Sequence, residues 1–440
     1  MKRLLTDKIL NWKSSANRKP LLLRGIRQSG KTWLLTEFGR LNYEDIAYFN
    51  FEKNDSISKI FDKDLDPKRI LTELGVLYGQ AIRPGETLII FDEIQLCSRA
   101  ITSLKYFYES SPEHHIASAG SLLGIALASP TSYPVGKVDM MTLRPMNFYE
   151  YLLSNRENML LEYLSEKKNQ PEPIPAAFAE KLLDYLKQYY IVGGMPEAVS
   201  VWLTTNSISE TENTQQNILN LFELDFAKYA PAHETPKLSM VWNSIPAQLA
   251  KENGKFVYGL LRKGAGAREF ENAMAWLQNA GMAYKVFKVQ KPSVPLKAYE
   301  DKSYFKLYFP DVGLLRKMAV LSAKSILEED RLYQEFKGAM AENYCLQELV
   351  AALDIMPHYW SSGNLAEIDF ITQFADKVIP IEVKAAENVK SKSLSVYRKK
   401  YSPPLAVKAS RRNISYRNGL LHWPLYLLWK LQEMIETLAA

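Results

Sequence analysis

Cysteine is nearly absent. The 440 residues hold only Cys97 and Cys345, in unrelated segments, which excludes a disulfide framework and a metal knuckle. Two thiols in so long a chain suit a reducing cytoplasm, the expected compartment. Histidine is scarce too: of five residues only His114-His115 are adjacent, without the spacing of a zinc site, and they read as a strand entry. No apolar run approaches the ~18 residues of a membrane span. Leu425-Tyr426-Leu427-Leu428-Trp429 is short enough to be a core or docking segment. Met1-Lys2-Arg3-Leu4-Leu5 passes at once into charged residues, without the apolar stretch of a signal peptide. Internal repeats are lacking as well.

What remains is ordinary globular material, 47% hydrophobic and 24% charged, long enough for two to four domains. A net charge of +6 is compatible with nucleic acid contact without being diagnostic.

The sharpest pattern is Gly25-Ile26-Arg27-Gln28-Ser29-Gly30-Lys31-Thr32. It follows the apolar Leu21-Leu22-Leu23 and precedes the helix-like Trp33-Leu34-Leu35-Thr36-Glu37-Phe38. Strand, Gly-rich loop and helix start in that order form a nest of backbone N–H groups for a nucleoside triphosphate. Lys31 is expected to reach the outer phosphates and the Thr32 hydroxyl to bind Mg²⁺. Thr87-Leu88-Ile89-Ile90-Phe91-Asp92-Glu93 follows, an apolar strand ending in two acids. Ligands of parallel sheets gather at such strand ends. Asp92 is expected to hold the Mg²⁺, directly or through water, and Glu93 to activate the attacking water. A third strand, His115-Ile116-Ala117-Ser118-Ala119-Gly120-Ser121, offers Ser118 and Ser121 as sensors of the γ-phosphate, and nothing in the sequence chooses between them. No Asn-Lys-x-Asp-like segment follows to read guanine, so ATP is expected as the nucleotide.

The chain then turns helical, as in Phe178 to Leu186, broken by Gly193-Gly194-Met195-Pro196. Between 236 and about 300 an amphipathic stretch, Glu269 to Leu277, precedes the alternating Tyr284-Lys285-Val286-Phe287-Lys288-Val289, a succession that fits a winged helix. Lys255, Arg262, Lys263 and Arg268 would give that unit either a basic binding face or a solvated surface.

The last third carries a second constellation. Glu342 lies within a helical pattern from Glu335 to Leu349. Glu367 to Thr372 alternates as a strand, and Ala375-Asp376-Lys377 turns into Val378-Ile379-Pro380-Ile381-Glu382-Val383-Lys384. The period of two puts Glu382 and Lys384 on one face, with Asp369 on the neighbouring strand. Carboxylates in that order (Glu342, Asp369, Glu382) could hold a second Mg²⁺ or Mn²⁺, with Lys384 steadying charge on a phosphodiester under attack. Beyond it, Lys390, Lys392, Arg398, Lys399, Lys400 and Lys408 are interleaved with Tyr397 and Tyr401, a pattern that fits either DNA or RNA backbone contact or a solvated helix face.

Together these motifs resemble a group of bacterial and archaeal AAA-type ATP-binding proteins with a C-terminal PD-(D/E)XK nuclease-like domain of unknown function. Further marks are Gly120-Ser121-Leu122-Leu123-Gly124, Leu143 to Glu150, Gly193 to Pro196, Phe305 to Tyr308, Asp311 to Leu315 and Pro424-Leu425-Tyr426. The resemblance implies an α/β multidomain chain. Its parts would be a P-loop AAA-type parallel sheet over residues 1–155, a helical lid over 156–235, a winged-helix-like domain over 236–325 and a restriction-endonuclease-like α/β domain over 326–440. ATP and Mg²⁺ would be its cofactors, and DNA, RNA or a second copy of the chain its candidate partners. Where relatives often place an arginine finger, in the segment matching Val135-Gly136-Lys137-Val138, this chain has Lys137, and Arg144 is the alternative candidate. Folds outlive their chemistry, so an inactive nuclease-like domain that only binds is the rival expectation.

Overall fold

The computed structural model describes residues 1–126, 134, 136–167, 170–251, 255–354, 356–363, 365–386 and 391–439. The chain divides into two units, one of residues 1–145 with 279–282 and the other of residues 146–278 with 283–440.

The first unit is built on five parallel strands: β1 (Leu21–Arg24), β2 (Asp45–Asn50), β3 (Thr87–Asp92), β4 (His115–Gly120) and β5 (Asp139–Thr142), in the order β2-β3-β4-β1-β5. Alternation along the strands sorts the core. Leu21, Leu23, Leu88 and Ile90 pack on one face with Leu34, Leu35 and Phe38 of the helix Lys31–Asn42 and with Ile9 and Trp12. Leu22, Ile89 and Phe91 face the other side, among Ile57, Phe61, Ile70, Leu74, Leu104 and Phe107. Each such side chain contributes roughly 1.5–3 kcal/mol by leaving water. All six residues of β3 and of β4 are buried, which is why these strands read as unbroken apolar or small-residue runs.

The second unit carries eight strands: β6 (Tyr284–Val289), β7 (Glu300–Tyr308), β8 (His358–Ser361), β9 (Glu367–Phe374), β10 (Lys377–Val383), β11 (Ala406–Ser410), β12 (Ser415–Arg417) and β13 (Leu420–Pro424). Their order is β12-β13-β11-β10-β9-β8-β6-β7, with β10, β11 and β13 parallel and a hairpin of β9 and β10 turning at Ala375, φ 50°. The hairpin of β6 and β7, expected as part of a separate winged module, continues this sheet through the pair Lys288–Tyr359. Long helices, among them Ala176–Val192, Ile208–Tyr229 and Arg331–Leu353, complete the unit. Among the described residues no helix is long and apolar enough to cross a membrane.

The glycine-rich turn at 193–194 and the segment from Asp311 meet. Asp311 is fully buried; its Oδ2 accepts the Gly194 N–H at 2.6 Å and its Oδ1 the Leu314 N–H at 2.9 Å, capping the helix Val312–Met318. Gly193 has φ 76°, and a Cβ there would lie 2.2 Å from Asp311 Oδ1. A Cβ on Gly313 would lie 2.5 Å from the Gly193 nitrogen. Three polar side chains of the helix Arg331–Leu353 serve the same region. Asn343 Oδ1 accepts the Phe309 N–H at 2.8 Å, Gln347 Oε1 the Val312 N–H at 3.0 Å, and Glu348 Oε1 the Phe148 N–H at 2.9 Å. Burial pushes the Glu348 carboxyl up to about 8 and that of Asp311 to about 6, the latter held back by its backbone N–H donors.

Asp311→Ala removes the acceptor of two buried N–H groups and should destabilise the second unit by about 2–5 kcal/mol, read as a lower urea midpoint. Glu348 gives a pH signature. Its folded-state pKa of about 8 lies above the ordinary 4.5, so the folded chain keeps a proton that the unfolded chain releases. Stability from this group is present below pH 4.5 and is lost as pH rises through about 8. Urea melts across that range should therefore show Glu348→Gln gaining on the parent chain as pH rises.

Candidate active site

The phosphate-binding loop is held tightly before any ligand chemistry is considered. Gln28, φ 63°, and Gly30, φ 89°, turn the backbone left-handed, which gathers successive N–H groups into an anion-binding concavity. A Cβ on Gly25 would lie 2.1 Å from the Leu143 carbonyl oxygen, so only glycine fits there. Arg3, 4% exposed, donates to the carbonyls of Ser29 at 2.9 Å and Arg144 at 2.6 Å and ties the loop to the segment after β5. Ile26 belongs to the buried core, while Ser29 is fully buried with an Oγ that has no partner among the described residues. Lys31 is buried and its Nζ donates to the carbonyls of Gly25 and Ile26, each at 3.0 Å.

Asp92 sits at the end of β3 beside the first turn of the helix Lys31–Asn42. The Thr32 hydroxyl lies 3.1 Å from both of its carboxylate oxygens. Two residues of β2 reach the same carboxylate: Tyr48 donates at 2.6 Å and Asn50 at 3.1 Å. Burial and then the bond to Asp92 push the Tyr48 phenol up to about 12, which keeps it a neutral donor. Thr32 and Asp92 are hard oxygen donors within one hydrogen bond of each other, a set that fits Mg²⁺. Glu93 follows with φ 52°, and its carboxylate accepts from Ser121 Oγ at 3.3 Å and from the Gln95 amide. Ser121 thus meets Glu93, whereas Ser118 lies inside β4, fully buried, with an Oγ that lacks a partner among the described residues. Lys137 is paired with Glu109 at 3.1 Å. Val135, part of the same expected finger segment, lies outside the described residues.

Arg3, Tyr48, Asn50 and Gln95 carry no motif signal in the sequence. Their contacts depend on which strands neighbour which, and sequence alone does not give that order.

In the second unit Glu342, Asp369, Glu382 and Lys384 do come into one neighbourhood, but not as an open cage. Lys384 Nζ meets Glu382 Oε1 at 3.0 Å, so the acid and the amine share a face as expected. Asp369 accepts the Val383 N–H at 2.7 Å instead of meeting either side chain directly. Burial, and next the charge of Glu342, push its carboxyl up to about 7, against the pull of Lys306 and Lys384. Lys306 of β7, unforeseen, bridges Glu342 and Glu367 at 2.7 Å each, and Tyr308 donates to the same Glu342 oxygen. Across the parallel pair, Glu382 stands in register with Lys408, whose amine burial lowers below its ordinary range.

The basic stretch is only partly an exposed face. Tyr397 is buried, its ring 5.2 Å from that of Trp360, so it anchors the helix Lys392–Tyr401 instead of offering a stacking surface. Lys392, Lys399 and Lys400 are exposed, Lys408 is buried, and Lys390 lies outside the described residues. Around the first part of the expected winged unit, Arg262 is paired with Glu269 at 2.6 Å, and Lys255, Lys263 and Arg268 are exposed.

Residues 17–152 match the model of an AAA domain. Residues 183–325 and 337–428 match two domains of unknown function, DUF8612 and DUF4143. Among solved structures, the Walker-type ATPase of Pyrococcus abyssi aligns at 15% identity over 72% of this chain and 95% of its own, with a TM-score of 0.45. The Orc1 protein of Aeropyrum pernix, in complex with DNA, aligns at 10% identity over 73% of this chain and 92% of its own, TM-score 0.25. AMPPCP-bound DnaA of Aquifex aeolicus aligns at 13% identity over 62% and 85%, TM-score 0.25. No protein of curated function matches the sequence. The N-terminal part is an ATPase-like AAA domain, which supports ATP binding.

The two serines separate experimentally. Ser121→Ala should slow ATP hydrolysis by about 10-fold or more at unchanged ATP affinity, since it removes one of the two donors that orient the Glu93 carboxylate. Ser118→Ala should leave the steady-state rate within about twofold, because its hydroxyl touches no acceptor there.

Proposed function

We propose that this chain is a Mg²⁺-dependent ATPase whose nucleotide state controls a C-terminal nuclease-like domain that handles nucleic acid. The observation that carries the ATPase reading is the junction of β3 with the phosphate loop. The Thr32 hydroxyl lies on Asp92 at 3.1 Å, the loop lysine is adjacent, and Glu93 is tied to Ser121. Thr32 and Asp92 would hold Mg²⁺, which neutralises phosphate charge when bound. The loop N–H groups and Lys31 bind the triphosphate. Glu93 takes a proton from a water that attacks the γ-phosphorus, and ADP leaves as the γ-phosphoryl passes to that water.

The proposed organisation keeps a helical lid over 156–235, a winged-helix-like part over 236–325 and the nuclease-like part over 326–440. In that last part Glu382, Asp369 and Lys384 would face the polynucleotide, with Glu342 behind them. A second reading has the C-terminal domain bind DNA, RNA or a protein without cutting, and the position of Lys306 between Glu342 and Glu367 favours it.

The test joins hydrolysis with nucleic acid assays. Lys31→Ala and Glu93→Gln should each lower the ATPase rate on the order of 10²–10³-fold, with ATP binding kept in Glu93→Gln. Labelled single- and double-stranded DNA and RNA, incubated with Mg²⁺ or Mn²⁺ with and without ATP, then decide the C-terminal role. Cleavage that vanishes in Glu382→Ala and changes with ATP supports processing. Intact hydrolysis with no cleavage supports the binding reading, and an ATPase rate insensitive to both substitutions sinks the proposal.

A further inference from the structure

The carboxylates of the C-terminal centre are the expected ligands of a divalent ion, yet their arrangement does not fit one. Among the described residues no three His, Cys, Asp or Glu side chains converge to hold a metal. What converges instead is an ammonium group. Lys306 Nζ lies 2.7 Å from Glu342 Oε1 and 2.7 Å from Glu367 Oε1, and its side chain is only 11% exposed. Tyr308 donates to the same oxygen of Glu342, and Asp369 is near enough to act on the charge of Lys306.

We infer that Lys306 is the resident cation of this centre, and that it keeps divalent metal out of the folded wild-type chain. The inference rests on the second reading above, in which the C-terminal domain binds without cutting. Three arguments carry it. The first is position: one ammonium occupies Glu342, an expected metal ligand, and ties it to Glu367 instead of to Asp369 or Glu382. The second is charge. Glu342, Glu367, Asp369 and Glu382 are already faced by Lys306, Lys384 and Lys408, so a divalent ion would add charge to a nearly neutral cluster. The third is a leftover acceptor. Glu382 is 2% exposed, its Oε1 is on Lys384, and its Oε2 has no hydrogen-bond partner among the described residues. A buried carboxylate oxygen without a donor is costly, and neither Lys306 nor Lys384 uses it. Metal–oxygen bonds to Mg²⁺ are about 2.0–2.1 Å, so the two bridged acids need move inward by only about 0.6 Å once the lysine is gone.

The experiment counts bound Mn²⁺ by electron paramagnetic resonance in the nucleotide-free full-length chain. Four proteins are compared: wild type, Glu342→Gln, Lys306→Met, and the two substitutions together. The Glu342 change isolates this centre from any ion held by Thr32 and Asp92. Wild type and Glu342→Gln should bind the same amount, while Lys306→Met should bind about one further Mn²⁺ per chain that the double variant loses. Mn²⁺ that wild type binds and Glu342→Gln does not would overturn the inference, and so would a folded Lys306→Met chain with no gain. The wild-type pair keeps the claim falsifiable even where Lys306→Met fails to fold, as circular dichroism would show. ATP hydrolysis in the same preparations reports on the N-terminal site, so failure of the ATPase reading is seen separately.

Discussion

The larger unit is organised by a buried carboxylate that serves backbone instead of chemistry. Asp311 answers the Gly194 N–H and the first turn of the following helix at once. Because its two oxygens are committed to two segments more than a hundred residues apart in sequence, the turn and the helix cannot shift independently. Gly193 and Gly313 make the approach close enough for those bonds, since any side chain on either would collide with backbone or with the carboxylate itself. Asn343, Gln347 and Glu348 extend the same solution along one helix, each pairing a backbone N–H group that the tertiary fold has taken from water. Around this turn the buried polar side chains are paired to backbone, and apolar packing fills in around them.

The first unit solves a similar problem at its ligand site. Asp92 receives hydrogen bonds from Thr32, Tyr48 and Asn50, so its orientation is fixed by two elements besides its own strand. Phosphoryl transfer draws most of its acceleration from such positioned charge, and an acid already oriented by neutral donors has little left to reorganise. Glu93 is treated differently. It stands in a left-handed conformation and meets an amide and a hydroxyl, which leaves it on the edge of the site and not packed beneath it.

Elements with a strong local signal are legible in the sequence alone. β3 and β4 read as continuous apolar or small-residue runs because both faces are covered, and the loop between β1 and its helix has a chemistry that tolerates few residue types. The hairpin of β9 and β10 was readable from its alternation and its turn, and with it the shared face of Glu382 and Lys384. β2 and β5 carry no such signal. Asp45-Ile46-Ala47-Tyr48-Phe49-Asn50 mixes polar and apolar residues, and β5 is a four-residue edge strand with no fully buried position. Lys306 could not be assigned from sequence, since its partners lie 36 and 61 residues away and depend on β7 joining the sheet. Likewise the basic stretch with its interleaved tyrosines fits nucleic acid backbone contact or a solvated helix face, and period alone does not tell a helix face that meets Trp360 from one that meets solvent.

The segment after β5 has a mechanical meaning. The Leu143 carbonyl presses on Gly25 so closely that no side chain fits, and the Arg144 carbonyl is strapped to the Ser29 carbonyl through the guanidinium of Arg3. These two short links make the edge of the sheet the back wall of the phosphate loop. Stiffness at the loop is thus set partly from a strand that touches no phosphate, and a displacement of Leu143 or Arg144 by even a few tenths of an ångström would be transmitted as a change in loop shape. The edge of the sheet is a lever with its short arm on the nucleotide.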